Sequence, residues 1–178
     1  MKKLWKSAAV LLIAALASCL FLFAGCDQGD QKEVAYEVKG GLPESYAGKV
    51  TVVIDDPDTE AAEAYFQVDY ASLSAESKAI AVLELLQEDG KIFYDAEDST
   101  YGMFLSGIGV MNGTDKQYIV QADSAAQTFV AFYTNVEADM DGAAGVMLGD
   151  VRVESSLQGV SSMSLKDGAV TYITEGSY

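Results

Sequence analysis

Behind Lys2, Lys3 and Lys6 the chain carries an almost unbroken apolar run from Ala8 to Ala24, and at Asp27-Gln28-Gly29-Asp30 it turns abruptly polar. Beyond that point most apolar positions recur with a period of two. Lys49 to Asp55 is β-branched and ends at Asp55-Asp56-Pro57-Asp58, which predicts a strand running into a turn. Phe66, Val68 and Tyr70 alternate with Gln67 and Asp69, as in a half-buried strand. The period then changes. Ala79, Val82, Leu83 and Leu86 stand at i, i+3, i+4 and i+7, predicting a helix capped by Ser74, with Glu76 in its first turn and Gly90 at its end.

From Lys91 onward the alternation returns. Strands are expected at Lys91–Tyr94, Tyr101–Val110, Tyr118–Val120, Thr128–Thr134, Gly145–Val153 and Ala169–Thr174. Turn signals stand at Asn112-Gly113, Asp141-Gly142 and Asp167-Gly168. Two strands, one helix and a further set of strands predict an α+β domain, with the helix across one face of a mixed sheet. Between Asp27 and about Gly48 the chain is polar, with Gly40-Gly41 and Pro43 as breakers, and reads as a flexible tether. A short strand near Val34 to Val38 is weakly signalled there.

The N-terminal pattern is that of a secretory signal. Leu22-Phe23-Ala24-Gly25-Cys26 resembles a bacterial lipoprotein processing box, in which small residues precede a cysteine that is acylated and becomes the new N-terminus. Leu16-Ala17-Ser18-Cys19 is a second match. Cleavage there would leave Leu20-Phe21-Leu22-Phe23 beside the lipid without a polar spacer, so Cys26 is the preferred site. The expected organisation is a signal peptide over residues 1–25, a lipidated Cys26 with a linker over 26–48, and a domain over 49–178. Two acyl chains at roughly 0.8 kcal/mol per buried methylene hold a protein stably on a membrane. The expected location is the outer face of the bacterial cytoplasmic membrane, reached by export and held by the lipid. An uncleaved anchor would leave the domain on the same side.

Composition sharpens this picture. The 178 residues hold 27 acidic side chains, 11 basic ones and no histidine. Loss of the three leader lysines leaves eight basic residues and a net charge of −19. Such a surface repels phosphate backbones, so nucleic acid is excluded as a partner. The lack of histidine removes Ser–His–Asp and Cys–His catalysis and His-ligated metal sites. Cys19 leaves with the leader and Cys26 is consumed by lipid, so no thiol remains for a disulfide or a nucleophile.

The succession of Val82-Leu83-Glu84-Leu85-Leu86, Tyr101 to Ile108, Phe129 to Asn135 and Leu165 to Tyr172 resembles the transcobalamin-like C-terminal domain, found in bacteria on secreted and surface proteins. The resemblance implies a β-grasp-like fold, a small mixed sheet curving around one helix. In animal vitamin carriers the related domain closes over cobalamin against a helical barrel. This chain is too short for that barrel. It also has Phe129 where many members carry tryptophan, so cobalamin binding does not transfer by residue.

Candidate chemistry is sparse. Glu137, Asp139 and Asp141 alternate as calcium ligands do, with Gly142 at the sixth place, but the twelfth is Leu148 instead of a bidentate glutamate. They are weak calcium candidates in what otherwise reads as a solvated hairpin. Asp95, Glu97 and Asp98 lie in a polar segment, without the separation across a cleft that glycoside hydrolysis needs. Tyr94, Tyr101, Tyr118, Phe132 and Tyr133, with Tyr94, Tyr101 and Tyr133 foremost, are weak candidates for stacking on a sugar or another flat ligand, against the commoner role of aromatics in cores and cross-strand pairs. The function expected is a non-enzymatic surface module that binds a small molecule, glycan or protein partner, with no cofactor beyond calcium or cobalamin as minor options. The alternative is an assembly or adhesion part of the cell envelope without a small ligand, in which a sheet edge recruits a partner strand.

Overall fold

The structure, a computed structural model, describes residues 33–58, 61–99 and 102–178. The signal segment, Cys26 and Tyr101 therefore lie outside the described residues. Among the described residues no helix is long and apolar enough to cross a membrane.

The elements in chain order are β1 (Val34–Val38), β2 (Lys49–Ile54), β3 (Ala64–Asp69), helix α1 (Ala79–Glu88), β4 (Ile92–Ser99), β5 (Gly102–Asn112), β6 (Asp115–Gln121), β7 (Thr128–Thr134), β8 (Gly145–Leu148), β9 (Val151–Ser155) and β10 (Val170–Ser177). Short 3₁₀ turns occupy Tyr70–Ser72 and Glu137–Asp139. The strands form a seven-stranded sheet in the order β1-β8-β9-β7-β10-β2-β3 and a three-stranded meander β4-β5-β6. The larger sheet curls into a half-barrel.

This architecture overturns the expected β-grasp-like α+β fold. The described residues are mostly β, and helix α1 shares the cover of the large sheet with the meander. The strands expected from the two-residue period largely exist, but period alone does not say which strand lies beside which. β10 inserts between β2 and β7, parallel to β2 and antiparallel to β7. The expected strand Gly145–Val153 is two strands, because Gly149 adopts φ +59° and folds β8 back on β9. Within the segment read as a tether, β1 pairs in parallel with β8, far along the chain. Arg152 fastens that contact by donating from Nη2 to the Glu33 carbonyl at 2.8 Å and from Nε to the buried Glu154 carboxylate at 3.0 Å. At the other side of the curl an isolated bridge joins Gly40 to Ala61, and the Ala62 N–H donates to the Gly40 carbonyl.

Helix α1 buries Ala79, Val82, Leu83 and Leu86, the stripe its sequence defines. Its start differs from expectation. Ser74 does not cap it, since Lys78 is the N-cap residue and no side chain caps there. The Ala79 and Ile80 N–H groups instead donate to the carbonyls of Met163 and Val160, both at 3.1 Å. These orphan donors are satisfied by a distant loop, and so no local capping residue is required. At the far end Gly90, at φ +64°, lets the Lys91 N–H reach back to the Leu86 carbonyl.

One core lies between the large sheet and its cover. Val50, Val52, Ile54, Val130 and Ile173 face the helix stripe and Ile92, Leu105, Ile108 and Val120 of the meander. A second core fills the curl, with Val38, Val53, Val146, Leu148, Val153, Val170 and Tyr172. The alternation along β2 and β10 supplies both, since successive side chains point to opposite faces.

Candidate functional site: a groove beside an open strand edge

Three places in the fold gather polar or aromatic groups. The first is inside the curl. Tyr172 is fully buried and its hydroxyl donates to the Asp55 carboxylate at 3.0 Å. With that proton committed, the Tyr36 hydroxyl donates to the Tyr172 oxygen, 2.8 Å away. Tyr133 packs edge-on against Tyr172 with ring centroids 5.7 Å apart. Burial first, and the charge of Asp55 as well, hold the Tyr172 phenol well above its ordinary value. Burial raises Tyr36 as well. Burial and the charge of Asp141 do the same to Tyr133. Thr174 is buried in the same region, its hydroxyl beside the Tyr36 and Tyr172 phenols. This is a closed, phenol-rich interior.

The second place is the outer face of the meander. The Tyr118 ring lies over Gly107, meets Phe93 edge-on at 4.8 Å and donates its hydroxyl to Asp95, a bond that raises its pKa. Lys116 sits 4.8 Å above the Phe93 ring and 3.9 Å from Asp95. A Cβ at Gly109 would fall 2.0 Å from the Gln117 carbonyl oxygen, so the tight crossing of β5 and β6 requires glycine. Asp95 is thus tied to Tyr118 and Lys116, while Glu97 and Asp98 are exposed.

The third place is a groove of about 590 Å³ at one end of the β-layers. One wall is the edge of β7, another is the segment Ser155–Gly159, and Met103 and Phe104 at the start of β5 stand beside them. Phe104 is 47% and Leu157 65% exposed, large apolar side chains left in water at the groove. Glu175 on β10 is exposed on its wall. No lysine or arginine lines it among the described residues.

The β7 edge is unequal along its length. On one side every residue from Thr128 to Thr134 is in register with β10. On the other side β9 pairs only with Tyr133 and Thr134. The Gln127 carbonyl accepts from the Tyr178 N–H, which fixes the alternation: the main-chain groups of Phe129, Ala131 and Tyr133 point to β10, and those of Thr128, Val130 and Phe132 point away. Consistently, the Phe132 carbonyl accepts from Ser156 N–H at 2.8 Å, and the Thr128 N–H donates to the Asp123 carbonyl at 2.9 Å. Between those two anchors the Val130 N–H and C=O and the Phe132 N–H have no partner strand among the described residues.

The sequence candidates distribute differently. Glu137 and Asp141 are exposed, whereas Asp139 is buried and accepts the Ser164 N–H at 2.5 Å. Asp141 Oδ1 accepts the Ala143 N–H at 2.8 Å. The three carboxylates are therefore not gathered, and among the described residues no group of three His, Cys, Asp or Glu is placed to hold a metal ion. Asp139 works as a latch on the loop that caps α1. Tyr94 is half-buried against the core on the helix side, its phenol raised by burial and by Glu84, and Tyr133 lies inside the curl. They are on opposite faces of the large sheet and form no shared patch. Of the sequence candidates Phe132 and Tyr133 are on the β7 wall of the groove, whereas Phe104, Phe129 and Leu157, which also line it, were not among them. Nothing local marks them, because the groove is created by the mismatch in length between β7 and β9.

No protein-family profile matches the chain, and no curated protein does. Among solved structures the chain is similar to the crystal structure of a "putative metal binding protein" from Ruminococcus gnavus, at 16% identity and a TM-score of 0.44, over 73% of this chain and 97% of that one. At that identity and score the overlap is too loose to transfer fold or function.

Proposed function

We propose that the protein is a lipid-anchored, extracytoplasmic binding module without enzymatic activity, and that the groove beside β7 is where it takes its ligand. The observation that carries the reading is the groove itself. It combines exposed apolar side chains at Phe104 and Leu157 with main-chain donors and an acceptor at Val130 and Phe132. Concave sites with an apolar lining and a few polar groups are the usual form of a binding site. The anchor part rests on the leader and on Cys26 with its small-residue approach.

Two experiments test it. Cells producing a Cys26→Ala variant, or treated with globomycin, are expected to lose the lipidated mature form from the membrane fraction. An unchanged distribution rejects the anchor. A thermal-shift panel of glycans, cobalamins and envelope peptides is expected to contain at least one stabilising ligand. A hundredfold excess over Kd adds about 2.7 kcal/mol. A Leu157→Ser variant is expected to keep the fold and lose the shift. A shift untouched by that change moves the site elsewhere.

A further inference from the structure

We infer that the groove is a strand-addition site, and that its occupant is an extended, positively charged peptide segment of another protein, paired main chain to main chain with β7. The inference rests on the binding reading above and names its ligand class. Three observations point the same way.

The first is the pattern of hydrogen-bonding groups. The free Val130 N–H and C=O and the Phe132 N–H all issue from one strand edge at the spacing of a β-ladder. A sugar or a flat heterocycle does not present donors and acceptors at that repeat, whereas an extended peptide does along its whole length. The second is size. From Thr128 to Phe132 the edge spans about 14 Å at about 3.4 Å per residue, room for a segment of about four or five residues before the Asp123 and Ser156 contacts close the ends. The third is charge. The domain is strongly acidic, Glu175 stands exposed on the wall, and among the described residues no cation lines the groove. A cationic strand is drawn in and an acidic one is repelled.

Other outer edges exist on β1, β3, β4 and β6. The β7 edge differs from them in bordering a groove that Phe104 and Leu157 also line with exposed apolar side chains.

The test uses the full chain in nonionic detergent micelles and three blocked seven-residue peptides. One alternates lysine and valine, one alternates glutamate and valine, and the third repeats the first with two consecutive central residues N-methylated, which blocks both of its edges. The lysine–valine peptide is expected to bind at least about tenfold more tightly than either of the others. At saturation it should slow amide exchange at Val130 and Phe132 by about tenfold or more, as a formed ladder does. Glu175→Lys, an exposed change that leaves the core intact, should weaken it by at least about threefold. Equal binding of the N-methylated peptide, or protection appearing at β3 instead of β7, overturns the inference. If the peptide fails at about 1 mM while a glycan or cobalamin still shifts the melt through Leu157, strand addition falls and the binding module stands. If neither binds, both fall.

Discussion

On one side of β2 and β10 the alternating residues Val50, Val52, Ile54 and Ile173 meet a mostly aliphatic core, with Phe66, Tyr94 and Phe132 packed at its margin. On the other side the same two strands present Val53, Val170, Tyr172 and Thr174, with Asp55 just past β2, and Tyr36 and Tyr133 are among the neighbours. Both sides are buried, yet they are held differently. The aliphatic core gains from every methylene removed from water and tolerates small errors of direction. The phenol-lined interior depends on a specific chain of donors ending on a carboxylate, where a lost partner leaves a polar group buried. The curl brings Tyr36 of the outermost strand β1 onto Tyr172 of β10, while the opposite face needs the separate cover of the helix and the meander.

Four changes sharpen or break that contrast. Leu83→Ala, at the centre of the aliphatic core, is expected to cost about 2–5 kcal/mol in urea unfolding, because the rigid stripe of α1 leaves a cavity. A cost below about 1 kcal/mol would mean that the cover is loosely packed. Tyr172→Phe keeps the ring and removes the hydroxyl that Asp55 and Tyr36 share, and about 1–3 kcal/mol is expected. No change would show the relay to be incidental. Asp139→Ala frees the Ser164 N–H and loosens the loop that caps α1, for about 1–2 kcal/mol. The loss should be the same with calcium and with a chelator, whereas a loss seen only with calcium would restore the metal reading. Glu175→Lys should stay within about 0.5 kcal/mol, since it touches neither interior.

The same contrast predicts a pH response. The native pKa values of Tyr36, Tyr133 and Tyr172 lie above the ordinary 10.0, through burial first. Below that value both folded and unfolded chains keep the protons, and the stability from these buried phenols is fully present. As pH rises past it the unfolded chain releases protons that the native one retains, so stability falls. Melts between about pH 8 and about pH 11 should show that decline, and the Tyr172→Phe variant should show less of it. Equal slopes would remove Tyr172 as a contributor.

Much of the local structure is readable in the residues. The i, i+3, i+4, i+7 stripe from Ala79 to Leu86 marks α1, and the β-branched run at Lys49–Ile54 marks β2. Gly90 marks the end of the helix, but Ser74 misled about its start, because the N-terminal donors find carbonyls of Met163 and Val160 far along the chain. The calcium-like spacing of Glu137, Asp139 and Asp141 likewise ignored direction: Asp139 turns inward to Ser164 while its neighbours turn to water. Tyr94 and Tyr133 belong to separate interiors, and their nature as aromatics could not say which.

By itself the sequence determined the leader pattern, the acid excess, the lack of histidine and the positions of one helix and most strands, since all of these follow from composition or from periods of two and 3.6 residues. Strand order, the curl, the tyrosine relay and the open edge of β7 were decided only in three dimensions. Each depends on pairing between segments distant in the chain, such as β1 with β8 or β10 with β2. A residue's pattern tells which face it prefers, and the partner that comes to lie beside it is chosen by the whole fold.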